Sequence, residues 1–142
     1  MTISAKMYGL AIKSLANKEI DWDTDTVKAV LCSATYTPDQ DTHQYASSLA
    51  GELTGGGYAR VTLGSKTTTY TGGTNTHMLD AADFAFTGLT GTFRYLVYLI
   101  DTGTAGTSPL VAYVDFGADQ TATAQDVNIT LDAAGVVSFV VA

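Results

Sequence analysis

The chain has 142 residues, with 14 Asp and Glu against 7 Lys and Arg and a net charge of −7. That length suits one domain that buries about two-thirds of its unfolded surface, so the fold needs no disulfide or metal. The acidic balance excludes a nucleic-acid surface, which requires clustered Lys and Arg. No stretch approaches the roughly 20 apolar residues of a membrane helix, and no secretory h-region opens the chain.

Residues 1–20 form the one predicted helix. Ser4 would cap it, Met7, Leu10, Ala11, Ser14 and Leu15 would share a stripe, and Asn17 would stop it. The rival is an extended arm with Tyr8, Leu10 and Ile12 on one face. The first fifth of the chain is basic: Lys6, Lys13, Lys18 and Lys28 lie there, and no Lys or Arg follows Arg94. Asp101, Asp115, Asp119, Asp126 and Asp132 then read as uncompensated. A basic arm on an acidic body suits docking on an acidic neighbour; an ordinary solvated surface is the plain alternative.

Asp21, Asp23 and Asp25 match the first half of an EF-hand loop. The match fails where the loop needs Gly sixth and Glu twelfth, because Thr26 and Cys32 stand there. The plain reading is three solvated acids before a strand over 26–32. Cys32, the single cysteine, sits in that apolar strand and reads as a buried, inert thiol. Residues 33–51 form a long polar connection that turns at Thr37-Pro38-Asp39, with a helical turn or two within 41–49. Segments 52–54 and 59–63 flank Gly55-Gly56-Gly57, a predicted bulge or mobile bend. Residues 66–71 read as a threonine-rich edge strand, and 76–79 and 83–86 as further short strands.

The richest segment is 93–116, FRYLVYLIDTGTAGTSPLVAYVDF. Arms 94–101 and 110–116 are β-branched and aromatic, and the turn residues 102–109 between them predict an antiparallel hairpin. Phe93, Tyr95, Val97 and Leu99 point one way; Leu96, Tyr98 and Ile100 point the other. A strand with one wet face alternates apolar with polar. This hairpin is apolar on both faces, so either the rest of the chain or another subunit must cover its second face. Residues 117–125 read as a polar loop, and 127–131 with 136–140 as a final hairpin around 132–135.

About eight or nine strands and one N-terminal helix or arm predict an all-β chain: a single two-layer antiparallel sandwich over 1–142, a jelly roll being one form of it. Motif chemistry is absent. His43 and His77 lie in no HExxH or Cys/His spacing, there is no G-x-S-x-G elbow, and the glycine triplet is followed by no Lys-Ser/Thr. No enzyme, cofactor or metal reading follows. Trp22 and the eight tyrosines could form a carbohydrate platform, although such rings more often serve cores and interfaces.

Five blocks carry a resemblance. Residues 15–31 read LANKEIDWDTDTVKAVL, 33–43 read SATYTPDQDTH, and Asp101-Thr102-Gly103-Thr104, Ser108-Pro109-Leu110 and Asp115-Phe116-Gly117 follow later. Together, over most of the chain from about residue 8 onward, they resemble a family of small virion structural proteins of tailed bacteriophages, most like head decoration (cement) proteins. The resemblance implies a dimer or trimer bound to the major capsid protein on the outer surface of the capsid. A tail, neck or fibre component is the structural alternative, and a carbohydrate-binding sandwich the alternative of another class. The expected interface residues are Lys6, Tyr8, Lys13, Trp22, Tyr36, Tyr45, Tyr95 and Tyr98. The N-terminal segment and the 33–51 loop would make the shell contacts.

Overall fold

The computed structural model describes residues 2–3 and 5–141. In chain order the elements are β1 (Thr2–Ile3), β2 (Lys6–Met7), α1 (Gly9–Ala16), β3 (Val27–Cys32), β4 (Val61–Thr62), β5 (Thr67–Thr71), β6 (Thr76–Asp80), β7 (Phe84–Ile100), β8 (Leu110–Leu131) and β9 (Val137–Val140), with 3-10 turns at Ala46–Ser48 and Ala105–Thr107. One sheet runs β1-β8-β7-β3-β4 with β2 also on β8; the other runs β5-β6-β9. Pairing is antiparallel apart from β1, which joins β8 in parallel. The chain is therefore the expected all-β sandwich with one short helix. Its strand orders differ from the paired Greek keys of a jelly roll.

The predicted hairpin is present, with Leu96 opposite Val114 and Val97 opposite Tyr113. It is the inner part of a much longer ribbon. Residues 117–125, expected as a loop, belong to β8 and pair with the 89–93 stretch of β7. Their Thr, Ala and Gln side chains lack apolar alternation because most of them face solvent, Ala122 being the buried exception. Cross-strand contacts such as Thr92 Oγ1 to Thr121 Oγ1, 3.1 Å, help hold the pair.

The ribbon folds back on itself. A straight strand would hold positions 84 and 98 about 46 Å apart at ~3.3 Å per residue, yet the rings of Phe84 and Tyr98 are centred 6.2 Å apart. The bend coincides with register shifts between Phe86 and Leu89, Leu89 and Gly91, and Phe93 and Tyr95. Extra residues in one strand of a pair bend it and raise its twist. The glycine triplet braces this corner. Gly56 accepts the Thr90 N–H at 2.7 Å, and a Cβ on Gly56 would lie 2.1 Å from the Thr90 carbonyl oxygen. Only glycine permits that approach together with a φ of +57°. Residues 55–57 thus form the expected bend, fixed against β7.

The cover over the other face is also intramolecular. Tyr8 packs on Tyr113 with rings 5.0 Å apart, and Tyr36 packs edge-on against Tyr95 at 6.0 Å. Ala11 and Ser14 of α1 are buried, and α1 packs against β8. Every residue from Tyr95 to Ile100 and from Leu110 to Val114 is buried in the single chain. The two-sided apolar hairpin is therefore closed by its own chain, and its dryness implies no second subunit.

The N-terminal segment combines both expected forms: extended β1 and β2, then a helix shorter than predicted. Ser4, the expected cap, lies outside the described residues, and Tyr8 holds the cap position without a side-chain capping bond. Asn17 does stop the helix, and the next residue completes the stop. Lys18 N–H donates to Leu15 O at 3.2 Å and Glu19 N–H to Ser14 O at 2.9 Å, while Lys18 takes a φ of +62°. This is the Schellman pattern, with lysine where glycine is usual. With Tyr8 and Ala11 in the core, the segment is an integral part of the body and not a separable arm. Asp132 and Gly135 bridge at the last turn, but β9 crosses to pair with β6 and forms no hairpin with β8. Among the described residues no helix is long and apolar enough to cross a membrane.

Candidate assembly surface

The eight expected interface residues separate by burial. Tyr8, Trp22, Tyr36, Tyr95 and Tyr98 are buried in the chain's own core, which removes them as surface contacts of the folded protein. Trp22 is buried and its Nε1 donates to Asp80 O at 2.9 Å, tying the turn before β3 to the end of β6, so it offers no exposed carbohydrate platform. Tyr45 is half-buried, and its hydroxyl donates to the Glu19 carboxylate at 3.1 Å. Lys6 and Lys13 are exposed. The sequence pattern could not separate core from interface aromatics, because both kinds sit in the same β-rich context.

The 33–51 loop is more ordered than its polarity suggests. Ser33 N–H closes it on Gly51 O at 2.8 Å. At its centre Tyr36 Oη lies 2.7 Å from Tyr8 Oη and 3.1 Å from His43 Nδ1. The Asp39 N–H also donates to His43 Nδ1, at 3.3 Å. A backbone N–H can only donate, so Nδ1 is the acceptor of both bonds. Tyr36 therefore donates to His43 and Tyr8 donates to Tyr36. Burial is the main cause raising both tyrosines, Tyr36 up to about 12 and Tyr8 beyond the usual tyrosine range. The hydroxyls stay protonated and act as ties from the core to the loop. Farther along, Ala46 N–H donates to Ser108 O at 2.8 Å and Leu110 N–H to Gln44 O at 2.9 Å. The loop is thereby stitched to the 102–109 turn, where Ser108 Oγ accepts from Thr102 N–H and donates to Thr104 O.

The charge asymmetry is smaller than the linear sequence implies. Asp101 lies 3.9 Å from Lys28 and Asp115 lies 3.2 Å from Arg94, so two of the acids expected to be uncompensated have partners. The Gly117 N–H, and then Arg94, hold the Asp115 carboxyl below the usual carboxylate range. Asp21 and Asp25 accept backbone N–H groups of their own turn, and Asp23 accepts Thr68 Oγ1. Among the described residues no three His, Cys, Asp or Glu converge as metal ligands would.

The open part of the molecule is the small sheet. All five residues of β5 are exposed, and among the described residues β5 pairs on one side only, with β6. Across the sheet Tyr70, His77 and Phe139 stand in register, with ring centroids 4.6 Å and 5.2 Å apart. Tyr70 is 54% exposed, and Val140 and Val141 are also open. The edge was legible in the run of threonines; the aromatic row was not, because its members come from three separate segments. No protein-family model, curated protein or solved structure matches the chain.

Proposed function

We propose that the protein is a virion structural protein of a tailed bacteriophage that decorates the capsid, binding as an oligomer to the major capsid protein. The observation that carries this reading is that the sequence blocks behind the resemblance adjoin in space. Asp101 N–H donates to Thr26 O at 2.8 Å, and the loop that begins with the 33–43 block is bonded to Ser108 and Leu110. The 15–31 block is thus tied to Asp101, and the loop that opens with the 33–43 block is tied to the 108–110 block, as a shared fold requires. Support also comes from the form of the body: a bent ribbon closed on both faces, with an unpaired strand edge at the surface. A rigid unit of this kind can make modest contacts at many equivalent shell sites, and multivalency strengthens the attachment. Lys6 and Lys13 are the exposed basic side chains retained from the expected contact set.

The test is co-sedimentation of purified protein with phage heads stripped of decoration, together with the copy number per particle. Saturable binding in many copies is expected. Failure to bind heads would overturn the reading, and a few copies at one vertex or along the tail would replace it with the neck or tail alternative.

A further inference from the structure

We infer that β5 is a self-pairing edge: two copies of the chain join by antiparallel pairing of residues 67–71 about a two-fold axis through Thr69. The inference deepens the oligomer part of the proposed function and identifies the surface that forms it.

A free strand edge is a row of unpaired backbone donors and acceptors, and natural edges are usually blunted by charge, proline or a bulge. Within Thr67-Thr68-Thr69-Tyr70-Thr71 there is no charge and no proline, and the ladder to β6 runs without a shift from Thr67–Asp80 to Thr71–Thr76. The edge is regular and complementary to itself. Pairing about Thr69 sets Thr67 opposite Thr71 of the second copy, Thr68 opposite Tyr70, and Thr69 opposite itself. Threonine pairs and aromatic–β-branched pairs are both favourable across strands.

The aromatic row supplies the second argument. In this register the two Tyr70 rings become diagonal neighbours on one face, roughly 8 Å apart at Cα and within reach of aromatic side chains. The row Phe139–His77–Tyr70 of one copy then continues into the same row of the other. Tyr70, a large exposed aromatic with ring neighbours on one side only, gains them on the other. The second copy is the occupant argued for this edge, because pairing about Thr69 engages all five residues of the strand and brings the two aromatic rows together on one face.

Cysteine cross-linking of the full chain tests that register, since the native Cys32 is fully buried. A disulfide needs Cα atoms within about 7 Å. Thr69→Cys meets its own mate at about 5 Å and is expected to give a covalent dimer under mild oxidation. Thr71→Cys, roughly 14 Å from its mate, is expected to stay single, yet to cross-link when mixed with Thr67→Cys. In sedimentation equilibrium, Thr69→Lys sets like charges face to face and is expected to weaken the dimer about tenfold or more. A wild type that is monomeric at every concentration, equal cross-linking at 69 and 71, or a dimer indifferent to Thr69→Lys would overturn the inference. Head binding by a monomeric wild type would overturn it and spare the capsid reading. A dimer with the predicted cross-links that ignores phage heads would support the edge and overturn the capsid reading.

Discussion

The inner ribbon and the small sheet are built from similar β-forming residues and differ in what lies over them. From Tyr95 to Ile100 the ribbon is covered on one face by the Tyr8 and Tyr36 side and on the other by its own folded-back half. In β5 no residue is buried. The contrast shows that a strand without polar alternation reports burial, not the identity of whatever buries it. The polar, threonine-rich strand is the one whose backbone edge stays free, which is why the self-pairing proposed above is placed there.

The comparison can be broken most severely inside the ribbon. Tyr98→Asp is expected to prevent folding, since an unpaired carboxylate in a fully buried site costs several kcal/mol out of the roughly 5–15 kcal/mol that holds a domain. Soluble yield and circular dichroism would report it, and a native melting temperature would refute it. Tyr98→Phe sharpens the point. Among the described residues the hydroxyl has no hydrogen-bond partner in its buried site, so removing it is expected to change stability by less than about 1 kcal/mol or to raise it.

Alkali should attack the same region. Burial pushes the Cys32 thiol and the Tyr36 hydroxyl up to about 12. Burial likewise raises Tyr98 and Tyr58. An acid whose folded value is raised stays protonated in the native state while the unfolded chain ionises. Its contribution is therefore complete below the ordinary thiol and phenol values of about 8.5 and 10 and is lost as pH climbs toward the folded ones. The unfolding free energy read from urea titrations is expected to fall from about pH 9 upward, by as much as ~1.4 kcal/mol per pH unit for each group in its window. A flat profile to pH 11 would show that these groups are more accessible than the packing implies.

Gly56→Ala is next. It drives a Cβ into the Thr90 carbonyl at a positive φ and should cost about 1–3 kcal/mol by chemical denaturation; an unchanged midpoint would mean the corner is soft. Lys18→Gly should do the reverse, adding about 1 kcal/mol by relieving the left-handed strain at the end of α1. In the small sheet, Thr69→Lys should leave the melting temperature of the dilute protein almost unchanged, within about 0.5 kcal/mol of wild type, because nothing is buried there. A large loss would mean β5 belongs to the core.

Much of the architecture was legible from local pattern. The strand ending at Cys32, the hairpin arms, the threonine edge and the clean alternation of Val127, Ile129 and Leu131 all follow from the two-residue period of a pleated strand, whose side chains must face either core or water. The helical stop at Asn17 and the bend at the glycine triplet follow from backbone chemistry just as local. Tertiary structure alone decided the rest. It turned 117–125 from loop into strand because a partner strand supplied the ladder that side-chain pattern did not announce. It folded the ribbon over itself at register shifts where Gly88 takes a φ of +59°, and sent β9 to β6 instead of β8. It also placed five of the eight expected contact residues, Tyr8, Trp22, Tyr36, Tyr95 and Tyr98, inside the core. Periodicity records that a face is dry, because that depends on each residue's own transfer from water. Which segment keeps it dry depends on long-range pairing, and no local window of the chain contains that information.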